Sequence, residues 1–500
     1  MLRRPQRLSG SGPMDVEVFA RPRFAVLSPY QRRRVAEGAL EILERTGVHL
    51  NHAGAIELLA GAGARVEPDT TPAGTAGYRV RLPAWLVQQA LESAPRQVVI
   101  YDRQGRPAMR LGQGRSYFGA NMDAPMLLDP QSGQHRPQEE ADDARHARLI
   151  DALPHLRFLM SAGFAADRPA HLADRYAARQ ALLNTSKPVL AITLSRASLE
   201  AVHAMAAIIA GGREALRRRP FLLHYSEPIS PLLHPDESLA KLLYCAEWEI
   251  PLVYTPYLAM GATAPCSLAG ALSQACAESL SGLVIHQLAH RGAPFIFGAM
   301  PSVMDMHSTV FSYGAPELHL LLAGMSEMAA HFGLPNFGTA GCGDACTFDG
   351  QAVLEAALSC TFAALSGADL IHDAGLFGSA QVVLPAMYPV VDEIAGMLEV
   401  MLGGIPVGDE DAALDLIDEV GPGGEFLTLE HTLRSFRAFW RPALLDRSGY
   451  QAWSLAGKPD FAARVHARLR NLLETHQPAP LSPEVVRELD ALARSWEAEA

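Results

Sequence analysis

Aromatic rings and carboxylates that a fold could gather in one place recur at the ends of short apolar runs. Tyr225 and Glu227 close the run at 221–226, Tyr257 closes the run at 252–257, Phe297 lies in the run at 295–300 and Phe337 in the run at 336–340. An aromatic face attracts a cation through its quadrupole, and a carboxylate adds opposite charge, so this set suits an organic cation. Tyr254 and Tyr257 are three residues apart, and strand residues alternate in direction. Only one of the two need reach a shared site, and Tyr257 is the expected one. Polar groups sit at equivalent places. His372 and Asp373 end the eighth run, Asn121 ends the first with Asp123 beyond it, and Asp305 follows the sixth. His372, with Asn121 second, would donate to an anionic group of a ligand, and Asp123 or Asp373 would orient it or balance its charge. His372, Asp373 and Asp305 are the candidates for catalysis. Gly341 and Cys346, after the seventh run, would line the pocket. Each also has a plain structural reading: aromatic side chains fill cores, a single His is often structural, and an Asp after a strand often caps a loop.

These residues need a scaffold. Eight apolar runs of strand length, at 117–121, 156–162, 188–193, 221–226, 252–257, 295–300, 336–340 and 370–374, alternate with longer helical patterns. Helices are expected at 140–152, 172–183, 198–210, 238–248, 268–290, 316–331 and 352–365. Repeated βα order argues for a parallel sheet, and eight such units close a barrel. In that architecture functional groups sit at the C-terminal strand ends, which is where the residues above fall. No G-x-G-x-x-G or G-x-x-x-x-G-K-[ST] follows any run, which speaks against an open nucleotide-binding sheet. The expected fold is α/β: a (β/α)8 TIM barrel at 116–405, an N-terminal α+β extension at 31–115 and a C-terminal helical tail at 406–500. Residues 1–30 are expected to be poorly ordered. Ser482 before Pro483 reads as the cap of a last helix.

The composition is globular, with 49% hydrophobic and 19% charged residues. The formal charge of -12 argues against nucleic acid as a partner, since phosphate backbones need a basic face. Six scattered cysteines with no C-x-x-C pair fit a reducing compartment. Arg3, Arg4 and Arg7 are followed by no apolar stretch, so no signal peptide is expected. No membrane span and a cytoplasmic location are expected. The long apolar helix at 268–290 is the expected interface of a homo-oligomer.

Several segments together resemble the trimethylamine methyltransferase family. They are Pro265 to Gly270 (PCSLAG) followed by Ala277 and Glu278, Tyr313 to Glu317 (YGAPE), Phe337 to Asp344 (FGTAGCGD) with Asp349 to Gln351, Ala368 to Gly375 (ADLIHDAG), and His431 to Arg434 (HTLR) with Phe439 to Pro442 (FWRP). The resemblance runs from about residue 35 to 495. It implies a (β/α)8 barrel that passes a methyl group from an amine to the cobalt of a separate corrinoid protein, with no cofactor bound in this chain. The founding activity of the family uses pyrrolysine in the loop after the seventh strand. Here that loop, Gly343 to Thr347, holds ordinary residues only, and Cys346 stands near the special position. Members without pyrrolysine resemble demethylases of quaternary amines such as glycine betaine.

The chemistry agrees with that departure. Methyl transfer to Co(I) is an in-line displacement with an amine as leaving group. A quaternary ammonium leaves as a neutral tertiary amine and needs no proton, whereas a free tertiary amine would leave as an amide anion. The enzyme must bind a methylated cation, shed water and aim one methyl outward. Two other readings stay open. Cys342 and Cys346, with His372, could belong to a zinc-dependent corrinoid methyltransferase, although no metal is expected. A barrel that binds betaines without turnover is the other. The nearest match to a corrinoid-carrying Asp-x-His-x-x-Gly motif, Asp305 to Val310, lacks the glycine, so the corrinoid is expected on a partner protein.

Overall fold

The computed structural model describes residues 22–499 except 122–123, 131 and 162–164. Eight parallel strands close a barrel: β1 (Tyr117–Asn121), β2 (Leu156–Ser161), β3 (Val189–Ile192), β4 (Leu222–Ser226), β5 (Leu252–Tyr254), β6 (Phe295–Gly298), β7 (Asn336–Thr339) and β8 (Leu370–Ala374). The ring helices are α1 (Glu140–Ala152), α2 (Ala173–Asn184), α3 (Arg196–Ala210), α4 (Asp236–Trp248), α5 (Leu268–Ala289), α6 (Pro316–Phe332), α7 (Gly350–Ser366) and α8 (Met387–Met401). The expected eight βα units are all present.

Alternation along each strand divides the barrel into two cores. Phe158, Met160, Leu190, Leu223, Tyr225, Val253, Ile296, Phe337 and Leu370 pack inside. Their neighbours Leu252, Tyr254, Phe295 and Phe297 pack outward against the helices. A hairpin of Val98–Tyr101 and Pro107–Leu111 sends Val98, Ile100, Met109 and Leu111 into the base of the inner core. It is fastened there by Tyr101 N–H to the Pro220 carbonyl and Gly112 N–H to Asp369, both at 2.8 Å. The N-terminal mouth is thereby plugged.

The sequence reading places single strands at 252–257 and 295–300. Each is interrupted instead: Pro256 has no N–H to give the ladder, and the chain resumes as Tyr257–Met260 paired with Met300–Val303 above the barrel. A four-stranded sheet of Leu376–Phe377, Val382–Val383, Met126–Leu128 and His135–Pro137 rises on the same side.

Of the segment expected to be disordered, residues 22–30 are tied down. Phe24 N–H bonds the Leu365 carbonyl at 2.9 Å, and Val26 and Leu27 both donate to Glu327 at 2.6 and 3.0 Å. The rest of the extension packs helices Pro29–Glu41 and Ala84–Ser93 on α5. The interface expected at 268–290 is therefore corrected: α5 is buried along most of its length inside its own chain. Among the described residues it is the one helix long and apolar enough to cross a membrane, and it serves here as a core helix. At the end of the chain Ser482 caps as expected, accepting from Val485 N–H at 3.3 Å.

Gly282 of α5 meets the outward ring of Tyr254, and a Cβ there would lie 2.3 Å from that ring. Tyr254 cannot retreat easily, because its hydroxyl is 2.6 Å from Nδ1 of buried His234. Gly282→Ala is expected to cost about 1–3 kcal/mol through overpacking, read as a lower urea midpoint at unchanged slope.

Candidate functional site

The side chains that β4, β7 and β8 turn inward meet at the C-terminal end of the barrel. Tyr225 donates its hydroxyl to Glu227 at 2.9 Å. Its ring lies 5.8 Å from Phe337 and 6.5 Å from His372, and Phe337 and His372 are 4.1 Å apart. Burial, with the nearby negative charge of Glu227, pushes the Tyr225 phenol well above its usual range. Glu227 is solvent-exposed although protein closely surrounds its carboxyl. Crowding raises its carboxyl, while the Tyr225 hydroxyl and the Lys241 charge draw it down.

A second wall comes from the extensions of β5 and β6. Tyr257 stacks on Phe311 at 4.2 Å, and Phe311 meets Tyr313 edge-on at 5.0 Å. Burial raises both tyrosine phenols, so they stay neutral donors across physiological pH. The charge of Glu227 is felt at Tyr225, Tyr257 and Tyr313, and that of Asp373 at Tyr225 and Tyr313. The two walls and the two carboxylates therefore belong to one place. Phe311 and Tyr313 are absent from the sequence reading of the site. The sequence signal for them is the alternation in Phe311-Ser312-Tyr313 directly before Gly314.

His372 sits where it is expected but is engaged differently. Nδ1 lies 2.9 Å from the Gly338 carbonyl and Nε2 lies 3.0 Å from Asp373. Both partners are acceptors, so one proton must lie between Nε2 and Asp373. Burial lowers the imidazole and the neighbouring Asp373 charge opposes this. Neither ring nitrogen is left to donate to a ligand's anionic group, so that expected role is corrected. What the residue offers the site is its ring face. Asp373 also takes the Thr339 hydroxyl and holds a φ of 84°, costly for a side chain with a Cβ and found where the surroundings over-determine the backbone.

The remaining candidates separate. Phe297 faces outward, 5.6 Å from Phe332 of α6, because Ile296 holds the inward position; it is core. Asp305 is exposed and caps its own turn by accepting from His307 and Ser308 N–H at 2.8 Å, which lowers its carboxyl; it is outside the cluster. Gly341, at φ 78°, lets the chain turn where a Cβ would sit 3.1 Å from Ala374 Cα; it shapes the crossing of β7 and β8. Cys346 is exposed, with its thiol 3.7 Å from the Asp344 carbonyl. Asn121 ends β1, and Asp123 lies outside the described residues. Cys342 is buried beside Thr339 at 3.6 Å. Among the described residues no three His, Cys, Asp or Glu side chains converge as metal ligands. A cavity of about 510 Å³ between Arg103, Arg219 and Phe221 lies at the opposite end, beside the plugging hairpin.

Asp344 anchors the second wall. It accepts from Tyr313 N–H at 2.7 Å, Gly314 N–H at 3.0 Å and the Ser312 hydroxyl. Its own N–H donates to Glu355 at 2.9 Å. Asp344→Ala should free the 311–314 segment, with KM rising about 10-fold and kcat changing less, as expected when about 1.4 kcal/mol of ground-state binding is lost. Steady-state kinetics would check the split.

Comparison with known proteins agrees with the residue-level resemblance. The family described as trimethylamine methyltransferase (MTTB) matches residues 3–499. A trimethylamine methyltransferase MttB of Desulfitobacterium hafniense is 31% identical over 98% of this chain and 97% of its own. A glycine betaine methyltransferase of the same species is 29% identical over 94% and 96%. A trimethylamine methyltransferase MttB of Methanosarcina barkeri is 26% identical over 91% of each. With nearly its whole length matched, the chain belongs to the trimethylamine methyltransferase family.

Proposed function

We propose that this methyltransferase moves a methyl group from a quaternary, betaine-type amine to the Co(I) of a corrinoid carried by a separate partner protein. The observation that carries the reading is the pair of aromatic walls, Tyr225 with Phe337 and Tyr257 with Phe311 and Tyr313, beside the solvent-exposed Glu227. Aromatic faces and a carboxylate together favour a permanent cation. The phenols of Tyr257 and Tyr313 are the donors best placed for the substrate's carboxylate, the role first expected of His372. The bond from substrate nitrogen to methyl carbon breaks as the bond from that carbon to cobalt forms; nitrogen keeps the electron pair and leaves as a tertiary amine. No protein group need supply a proton, which suits a site whose tyrosines are held neutral. The chain's part is to bind, orient and exclude water.

In this reading the catalytic unit is 116–405, with 31–115 and 406–500 as its extensions. The corrinoid acts as a co-substrate, and the enzyme works in the cytoplasm as a homo-oligomer. The zinc-dependent alternative loses support because, among the described residues, no three His, Cys, Asp or Glu side chains converge. A betaine-binding barrel without turnover is the competing reading.

The test is to mix pure protein with cob(I)alamin and glycine betaine, proline betaine, carnitine, choline or trimethylamine, following methylcobalamin by its visible spectrum. Methylation from one betaine and none from trimethylamine is expected. Silence across the panel, persisting with the cognate corrinoid protein supplied, would overturn the reading and leave the binding barrel.

A further inference from the structure

The stretch between Leu398 and Val465 has almost no core of its own. Among its described residues only Leu444 is buried. Its helices Leu414–Val420, Glu430–Ser435 and Tyr450–Leu455 bury no residue. More than half of the exposed large apolar side chains of the described chain nevertheless fall here. Ile405, Val407, Leu427, Leu433, Phe439 and Leu455 are each over 60% exposed. The stretch leaves the end of α8 and is tied back at one point, where Glu393 accepts from the N–H groups of Ala443, Leu444 and Leu445 at 2.9–3.0 Å. Residues 403–459 form an arm held by these attachments. Beside its root the body offers a matching surface: Leu354 and Leu358, one turn apart on α7, and Met397, Val400 and Met401 on α8 are also exposed.

Charge identifies what covers the arm. From Asp409 to Glu430 it carries eight acidic residues and no Lys or Arg. From Arg434 to Arg447 it carries four arginines and one acid, Asp446. Among the described residues the two halves meet within the chain in one exposed pair, Arg434 with Glu430 at 3.8 Å. A segment acidic in one half, basic in the other and apolar throughout complements itself when two copies run antiparallel. A two-fold interface imposes that arrangement, because a contact from residue i to j is repeated from j to i. Apolar surface of this extent, left open in every molecule, marks an interface rather than ordinary exposure.

We propose that residues 403–459 are a dimerisation arm that lies antiparallel against the same arm of a second copy and over the partner's α7–α8 face. The inference is independent of the methyl-transfer reading. Light scattering on the full chain is the first test, and a dimer or a multiple of dimers is expected. The double substitution Leu427→Asp and Leu433→Asp touches no buried residue, so far-UV dichroism should be unchanged while dimer dissociation becomes at least about 100-fold easier, the scale of apolar interface anchors. Reversing Arg434, Arg437 and Arg441 to Glu should weaken the dimer about 10-fold. Reversing Asp415, Asp418 and Glu419 to Lys in the same chain should restore it. A monomeric full chain, or a dimer indifferent to the two Asp substitutions, would overturn the proposal. Failure of the double reversal to restore pairing would overturn the antiparallel self-contact and assign the arm to a different protein.

Discussion

Glu227→Gln should lower kcat/KM for the preferred quaternary amine by about 30- to 150-fold. The substitution keeps the shape of the side chain and leaves an oxygen to accept the Tyr225 hydroxyl, so the first wall should stand. It removes only the charge. A unit charge about 4 Å from a cation in a partly screened site contributes a few kcal/mol, of which about 2–3 kcal/mol should appear as lost binding. The positive charge is full in the ground state and only partly retained in the transition state, as nitrogen takes back the electron pair, so KM should carry most of the change. A neutral isostere separates charge from shape. The carboxylate 3,3-dimethylbutyrate replaces the trimethylammonium group by a tert-butyl group, and it should inhibit wild type and Glu227→Gln about equally. A kcat/KM within about 3-fold of wild type would mean that Glu227 does not face the substrate.

Asp143→Asn should stabilise the protein at pH 8 and leave it unchanged at pH 4. Asp143 lies in the first turn of α1 and is buried, and burial pushes its carboxyl up to about 7. Gln138 donates to one oxygen at 2.7 Å, and the other has no partner among the described residues. Asp142 beside it is paired with Arg136 at 2.6 Å and with Arg145 at 2.6 Å, which keeps it ionised and adds to the repulsion. His146 gives no compensation, because burial pushes it down to about 4. For a carboxyl raised in the folded state, the folded form binds more protons between the two pKa values. Its contribution is full below about 4 and is lost as pH rises through about 7. Asparagine imitates the protonated acid at every pH, so the variant should gain roughly 2–4 kcal/mol above pH 7. Thermal melts of both proteins from pH 4 to 8 would show the midpoints separating as pH rises. A variant less stable than wild type at pH 8 would show that the charge is compensated.

The barrel was legible because each strand is a short apolar run bounded by helical periodicity, a signal that survives without knowing the register. Which side of a strand a residue faces depends on register, and there the reading divided. Parity alone could not decide between Tyr254 and Tyr257: Tyr254 turns outward to His234 and Gly282, and Tyr257 stands on a separate strand beyond Pro256. Parity within 295–300 gave no reference point, so Phe297 looked like a strand-end aromatic although Ile296 holds the inward position. The second wall was harder to see. Phe311 and Tyr313 lie in a loop well past β6, and the group that fixes them, Asp344, comes about thirty residues later. His372 shows another limit: its position could be read from the sequence, but its nitrogens are engaged by the backbone carbonyl of a neighbouring strand and by the carboxylate of Asp373.

The hairpin that plugs the base of the barrel has a kinetic consequence. A vessel stoppered at one end has a single doorway, which in the proposed reading the amine and the methyl acceptor must share. A small molecule bound at Glu227 would lie beneath the partner that covers the rim, so the two reactants would queue: the amine would enter first and the acceptor close over it. The demethylated amine would then stay trapped until the acceptor withdraws.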